Sequence, residues 1–247
     1  MFTAQRRDQI RTHLLERAYR DERIAGAAIT GSAASGTEDR WSDIDLFFGV
    51  ADGHDVTQTR NAWSDYVYSE LAALHHFDLP SGAATYRAFL LADLLEIDLG
   101  FSPAHAFGPR GGGSFELVFG HSAPRQAGAV DADHLIGLAW HHVRHARTFI
   151  ERDAPWQAEY WISAIRDQTL ALASLRLGLP SAYAKGSDKL AAETTEAVRE
   201  ALVRSLDTDE LSRALRVATR ALVGELRHSD TAVAGRLSQP LLAMAAG

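Results

Sequence analysis

Gly31-Ser32 is followed, after ten residues, by Asp43-Ile44-Asp45-Leu46, and a second acidic pair lies in Leu95-Glu96-Ile97-Asp98-Leu99. Aspartates at i and i+2 of a strand project to the same side, so Asp43 and Asp45 can share a divalent cation. Hard carboxylate oxygens suit Mg²⁺, the more so when the ion is also bridged to phosphates. Without a cation, like charges held this close repel. A third carboxylate from a neighbouring strand completes such a site. Asp98 is the natural choice, because its apolar neighbours seat that strand in a sheet, and Glu96 on the same face is the rival. At Gly31 the missing side chain lets backbone approach phosphate oxygens closely, while the Ser32 hydroxyl and nearby amides can donate to them.

The elements that must position these groups follow from hydrophobic period. Thr3 to about Arg23 carries Ile10, Leu14 and Ala18 at helical spacing. Ala25 to Thr30 is a short apolar run ending at Gly31-Ser32, which reads as a buried strand entering a tight turn. Residues Ala33 to Trp41 read as loop. From Ser42 to Val50 the pattern alternates, with Ile44, Leu46 and Phe48 on one side and Asp43, Asp45 and Phe47 on the other. Asp55 to about His76 reads as a second helix with Asp55 as its N-cap. Tyr86–Leu91 and Leu94–Phe101 read as a strand pair, and Ser102 to Ser114, with two prolines and Gly111-Gly112-Gly113, as loop, with a short strand at Phe115, Leu117 and Phe119.

Past a boundary placed near Pro124 to Asp131, every segment reads as helix: Asp131–Arg152, Pro155–Leu177, Asp188–Arg204, Asp207–Arg227 and a last one from Thr231. Pro155 suits a first helical turn, and Gly178 with Pro180 suits its end. The expected class is α+β: a mixed sheet with flanking helices over residues 1–125, then an all-helical bundle over 126–247.

Composition bounds the function. The 247 residues are 46% hydrophobic and 23% charged, ordinary for a folded protein. A net charge of -7 argues against a nucleic-acid partner, and the absence of cysteine excludes thiolate metal sites and thiol catalysis. No apolar run reaches the ~18 residues of a membrane span. The charged, amphipathic Met1–Glu22 lacks a signal-peptide core, so a cytoplasmic protein is expected. A homodimer is left open.

Thr30-Gly31-Ser32 through Asp43-Ile44-Asp45 resembles the signature of the polymerase-β nucleotidyltransferase superfamily, and the likeness covers residues 25 to 101. Within it, the spacer Gly36-Thr37-Glu38-Asp39-Arg40-Trp41-Ser42 looks like that of small antibiotic and minimal nucleotidyltransferases, in which Ser-Asp-x-Asp is common. Many of those relatives carry an arginine in the spacer at or near Ser35, and this chain does not. The helical second half is similar in layout to the C-terminal domain of kanamycin- and lincosamide-type enzymes, and would act as a domain closing over substrate and nucleotide.

The resemblance implies in-line attack of an acceptor hydroxyl on the α-phosphorus of ATP or another NTP, with pyrophosphate leaving and two Mg²⁺ ions neutralising charge. The acceptor would be an aminoglycoside or a lincosamide-like compound, an antibiotic-resistance activity. It further implies metal ligands Asp43, Asp45 and Asp98, nucleotide contacts from Gly31 and Ser32, and phosphate-binding cations from the second half, for which Lys185 and Lys189 are chosen over Arg166. Glu96 is a catalytic base candidate, beside Glu159, Ser163 and Asp167 on one helix face. Two alternatives stand: an antitoxin-type enzyme modifying a protein or tRNA end, and a non-catalytic nucleotide-binding module.

Other motifs have plainer readings. His141, His142 and His145 lack the glutamate of a zinc-protease helix and read as structural or surface residues. Gly111-Gly112-Gly113 lacks the setting of a dinucleotide fingerprint. Trp156, Tyr160 and Trp161, at helical spacing, read as core aromatics ahead of a substrate-pocket lining.

Overall fold

The structure is a computed structural model describing residues 1–125 and 131–247. The chain divides into two compact units, Met1–Gly128 and Ala129–Gly247. The boundary expected at 125/126 adjoins residues 126–130, which lie outside the described residues.

In the first unit, helix α1 (Ala4–Arg20) leads into strand β1 (Ile24–Thr30), a single helical turn α2 (Gly31–Ala34) and strand β2 (Ile44–Val50). Helix α3 (Val56–Leu71), strands β3 (Ala73–Ser81), β4 (Ala84–Leu91) and β5 (Glu96–Pro103), and a short β6 (Phe115–Phe119) complete it. The strands form one six-stranded sheet in the order β3-β4-β5-β2-β1-β6. β2 and β5 run parallel, and the other pairs are antiparallel, so the sheet is mixed.

Alternation sorts the two faces of this sheet. Ile44, Leu46, Phe48, Ile97, Leu99 and Phe101 point into the main core, where Ile10, Leu14 and Ala18 of α1 and Trp63 and Val67 of α3 meet them. The opposite face carries Asp45, Phe47, Asp98 and Gly100, together with a smaller cluster of Ala28, Phe47, Ala84 and Phe107 against Tyr86 and Phe115. One face is thus sealed by helices, and the other holds the carboxylates.

Two elements differ from the sequence reading. The second helix stops at Leu71 instead of His76, because Ala72 adopts a left-handed conformation (φ 57°) and ends it. The following residues pair with β4 as β3, an edge strand whose Leu74, Phe77 and Leu79 are exposed. Their apolar side chains sit at spacings that continue a helical pattern, which hid the strand. The segment read as loop from Ala33 also begins inside α2.

The second unit is helical: α4 (Ala132–Glu151), α5 (Pro155–Arg176), α6 (Ala192–Arg199), α7 (Thr208–Ser229) and α8 (Thr231–Ala246). Ala139, Val143, Ile162, Ile165, Leu215, Leu222 and Leu241 belong to its core. Pro155 opens α5, and Gly178 (φ 68°) follows its C-cap, as those residue types favour. The helix expected over 188–204 shrinks to Ala192–Arg199, preceded by 3-10 turns at Ala182–Ala184 and Ser187–Lys189. Glu225 is buried and is held by Arg176, Nε to Oε1 at 2.7 Å. No helix among the described residues is long and apolar enough to cross a membrane.

Candidate active site

The site begins with the register of two parallel strands. β2 and β5 align Asp45 directly beside Asp98, flanked by Ile44 beside Ile97 and Leu46 beside Leu99. The apolar partners bury into the main core, so the aspartates between them must face the other way. Asp43 precedes β2 by one residue and joins them. Carboxylate oxygens of Asp43, Asp45 and Asp98 lie within 4.8 Å of one another, and among the described residues they are the one group of three metal-ligating side chains so arranged. All three are half-buried. Three carboxylates so close, partly withdrawn from water, form a donor set that fits a hard divalent cation.

Gly31 closes the other flank. It has φ 63°, a left-handed conformation that costs other residues about 1–2 kcal/mol. A Cβ placed there would fall 1.8 Å from Asp45 Oδ2. Backbone of the β1–α2 junction therefore lies directly against the carboxylate group, and no other residue type fits. Ser32 follows in α2, its carbonyl accepting from the Thr37 amide at 3.0 Å and the Ser35 hydroxyl at 3.0 Å. The spacer is folded back on this turn.

The rest of the spacer is pinned by α1. Arg7 is 4% exposed. Its guanidinium pairs with Glu38 at 3.0 Å and donates to the carbonyls of Asp39 and, at 3.3 Å, Ser42. Arg11 adds a second ion pair to Glu38 at 2.5 Å. The Asp39 carboxylate accepts from the Trp41 amide at 2.8 Å and the Ser42 hydroxyl at 3.1 Å, and these bonds, the amide first, hold its pKa below the usual range. Asp43 is thus delivered by a tied loop.

Glu96 opens β5 two residues before Asp98. Partial desolvation and, second, the negative charge of Asp43 push its carboxyl pKa upward. The structure groups Asp98 with the aspartate pair and leaves Glu96 beside it.

Sequence reasoning passed over Tyr86 and Arg110. Tyr86 stacks on Phe47 with ring centroids 5.6 Å apart. Burial first, then the charges of Asp45 and Asp98, raise its phenol pKa against the opposing pull of Arg110. Arg110 sits 5.3 Å over the Phe47 ring and donates to the Ser81 carbonyl at 2.8 Å. The signal for Tyr86 lay in its parity: on β4 it occupies the same face as Asp98.

The remaining candidates lie in the second unit. Lys185 and Lys189 are exposed, one after and one within a 3-10 turn. Glu159 accepts from Ser163 at 2.6 Å, and Ser163 in turn accepts from Arg166 at 2.7 Å; Asp167 is exposed. His142 is buried and His141 and His145 are half-buried around Trp161, with His145 4.9 Å from that ring. Burial is the first cause that pushes the His142 pKa down. Trp156 and Tyr160 depart from the core reading: they are 75% and 63% exposed, on the outward side of α5.

Residues 7–78 match the family model described as nucleotidyltransferase domain. No curated protein matches the sequence. Among solved structures, an aminoglycoside 6-adenyltransferase from Bacillus subtilis aligns over 95% of this chain and 96% of its own, at 11% identity and a TM-score of 0.39. A likeness that distant says nothing about an acceptor. The matched segment runs from within α1 through the Gly31-Ser32 turn, the tied spacer and the first two carboxylates into β3, and Asp98 on β5, outside it, completes the group. Residues 7–78, within the first unit, accordingly match a nucleotidyltransferase domain.

Proposed function

We propose that this chain transfers a nucleoside monophosphate, AMP from ATP, to a hydroxyl of a small aminoglycoside- or lincosamide-like acceptor and releases pyrophosphate. The observation that carries the reading is the convergence of Asp43, Asp45 and Asp98 within 4.8 Å, with Gly31 backbone against Asp45. The acceptor class rests on the Ser42-Asp43-Ile44-Asp45 spacer likeness to small antibiotic enzymes.

The three aspartates would hold Mg²⁺, which when bound would neutralise phosphate charge and lower the pKa of an acceptor hydroxyl. The chain's own residues do the remainder. Gly31 leaves room for triphosphate oxygens beside Asp45, and the Ser32 hydroxyl with the α2 amides donates to them. Arg7, through the spacer carbonyls, fixes where Asp43 stands. Glu96, on the acidic edge next to Asp98, would take the proton from the acceptor hydroxyl as oxygen bonds to the α-phosphorus and pyrophosphate departs. Lys185 and Lys189 are proposed as phosphate-binding cations on residue type and exposure.

A pyrophosphate-release screen of the four NTPs against aminoglycosides, a lincosamide and tRNA tests the reading, with Asp43→Ala and Asp45→Ala as controls. Release that needs a small acceptor, Mg²⁺ and both aspartates supports it. Release with tRNA alone, or in both variants, overturns it.

A further inference from the structure

Along the carboxylate face, strand order fixes a sequence of side chains. Crossing from β5 through β2 to the end of β1, one meets Asp98, Asp45 and Gly31, with Ala88 of β4 beside Asp98 and Tyr86 two residues further along β4 on the same face. Tyr86 is the register partner of Gly100, the next residue after Asp98 on that face. Its ring lies on Gly100 so closely that a Cβ there would come within 2.6 Å of Tyr86 Cε1. With Phe47 stacked beside it, the ring has one place to be. Tyr86 is therefore a fixed wall on the flank opposite the glycine turn.

In-line displacement makes the two flanks unequal. The attacking oxygen and the departing pyrophosphate occupy opposite sides of the α-phosphorus. On the reading above, the phosphates rest against Gly31 and Ser32 on the β1 flank, where Gly31 backbone lies against Asp45. The attacking hydroxyl must then enter from the β4 flank, past Asp98.

We propose that Tyr86 is the acceptor-contacting residue: its phenol hydrogen-bonds the acceptor beside the attacking hydroxyl and orients it toward the α-phosphorus. The inference rests on the nucleotidyl-transfer reading. In the step, the acceptor oxygen bonds to phosphorus, the bond from phosphorus to the bridging oxygen breaks, pyrophosphate leaves and the hydroxyl proton passes to Glu96. Tyr86 gains and loses no proton. The ligand class at this position is a polyhydroxylated molecule, since a phenol fixed beside the reacting hydroxyl needs a second oxygen or nitrogen on the acceptor to bond.

A crystal structure of the full chain with Mg²⁺ and α,β-methylene-ATP tests the geometry without any acceptor. The expected result has β- and γ-phosphates at Gly31 and Ser32 and the open side of the α-phosphorus facing the Tyr86 hydroxyl. Phosphates or base lying against Tyr86 overturn the inference. An analogue bound away from the three aspartates overturns the transfer reading itself. In kinetics with the acceptor that the wild type uses fastest in the screen, Tyr86→Phe keeps the ring over Gly100. It is expected to raise acceptor KM about tenfold, with KM for ATP and Tm unchanged. An equal rise in KM for ATP, or no rise in either, overturns it.

Discussion

Gly31 and Asp45 are in contact in a way no other pair of residue types could reproduce: the glycine Cα faces the carboxylate, and a Cβ would sit 1.8 Å from Oδ2. Left-handed backbone at residue 31 (φ 63°) is the second reason for glycine there. The strand that ends at Thr30 and the one that carries Asp45 are antiparallel neighbours, so the junction is held at this distance by the sheet itself.

Gly31→Ala is therefore expected to displace the Asp45 carboxylate and shift the turn. Pyrophosphate release should fall by about 100-fold or more, the scale of a misplaced reacting group, while the main core on the other face keeps the unit folded. Circular dichroism beside the release assay checks both halves. Retention of wild-type activity would show that the turn and the carboxylate do not work together.

Glu96→Gln removes the proposed proton acceptor and leaves the three aspartates in place. A loss in kcat of about 10²- to 10⁴-fold is expected, with Mg²⁺ affinity close to that of the wild type. Asp98→Asn should lose both. A Glu96→Gln enzyme with normal kcat would assign the proton to another group.

Arg7 ties α1 to the spacer from a buried position, so Arg7→Met is expected to destabilise the first unit by about 3 kcal/mol. The cost is at the low end for a broken ion pair because Glu38 is 19% exposed and keeps Arg11 as partner. The same change frees the Asp39 and Ser42 carbonyls and should weaken Mg²⁺ binding at Asp43. Thermal unfolding and Mg²⁺ titration measure the two effects, and a loss of stability with unchanged Mg²⁺ affinity would separate the spacer from the site.

In the second unit, the side-chain bond from Arg213, then the Arg204 amide, holds the Glu210 pKa down at about 2, against an ordinary 4.5. A carboxyl with a depressed folded pKa stabilises above its unfolded value and loses that contribution as pH falls through the folded one. The contribution is expected in full above about pH 5 and to disappear as pH approaches 2. Comparing urea midpoints of wild type and Glu210→Gln should show a gap at pH 6 that closes by pH 2; a gap independent of pH would contradict the assignment.

The carboxylates and the glycine turn are legible in the sequence because period two puts Asp43 and Asp45 on one side of a strand whose other side is Ile44, Leu46 and Phe48. What could not be read was the pairing between distant strands. Nothing local says that Tyr86 faces Gly100, or that β5 lies parallel to β2 with Asp98 beside Asp45. β3 was hidden for a different reason, since its exposed Leu74 and Phe77 continue the helical spacing of α3 and do not alternate. Trp156 and Tyr160 misled in the same way: helical spacing marks a face without saying whether that face is covered.

The most direct test of a metal-dependent nucleotide site at Asp43, Asp45 and Asp98 is calorimetric titration with α,β-methylene-ATP, with and without Mg²⁺, on wild type and Asp45→Asn. One-to-one binding that requires Mg²⁺ and weakens at least about tenfold in the variant, roughly 1.4 kcal/mol, is the expected result. Equal affinity in both proteins, or binding indifferent to Mg²⁺, would contradict it.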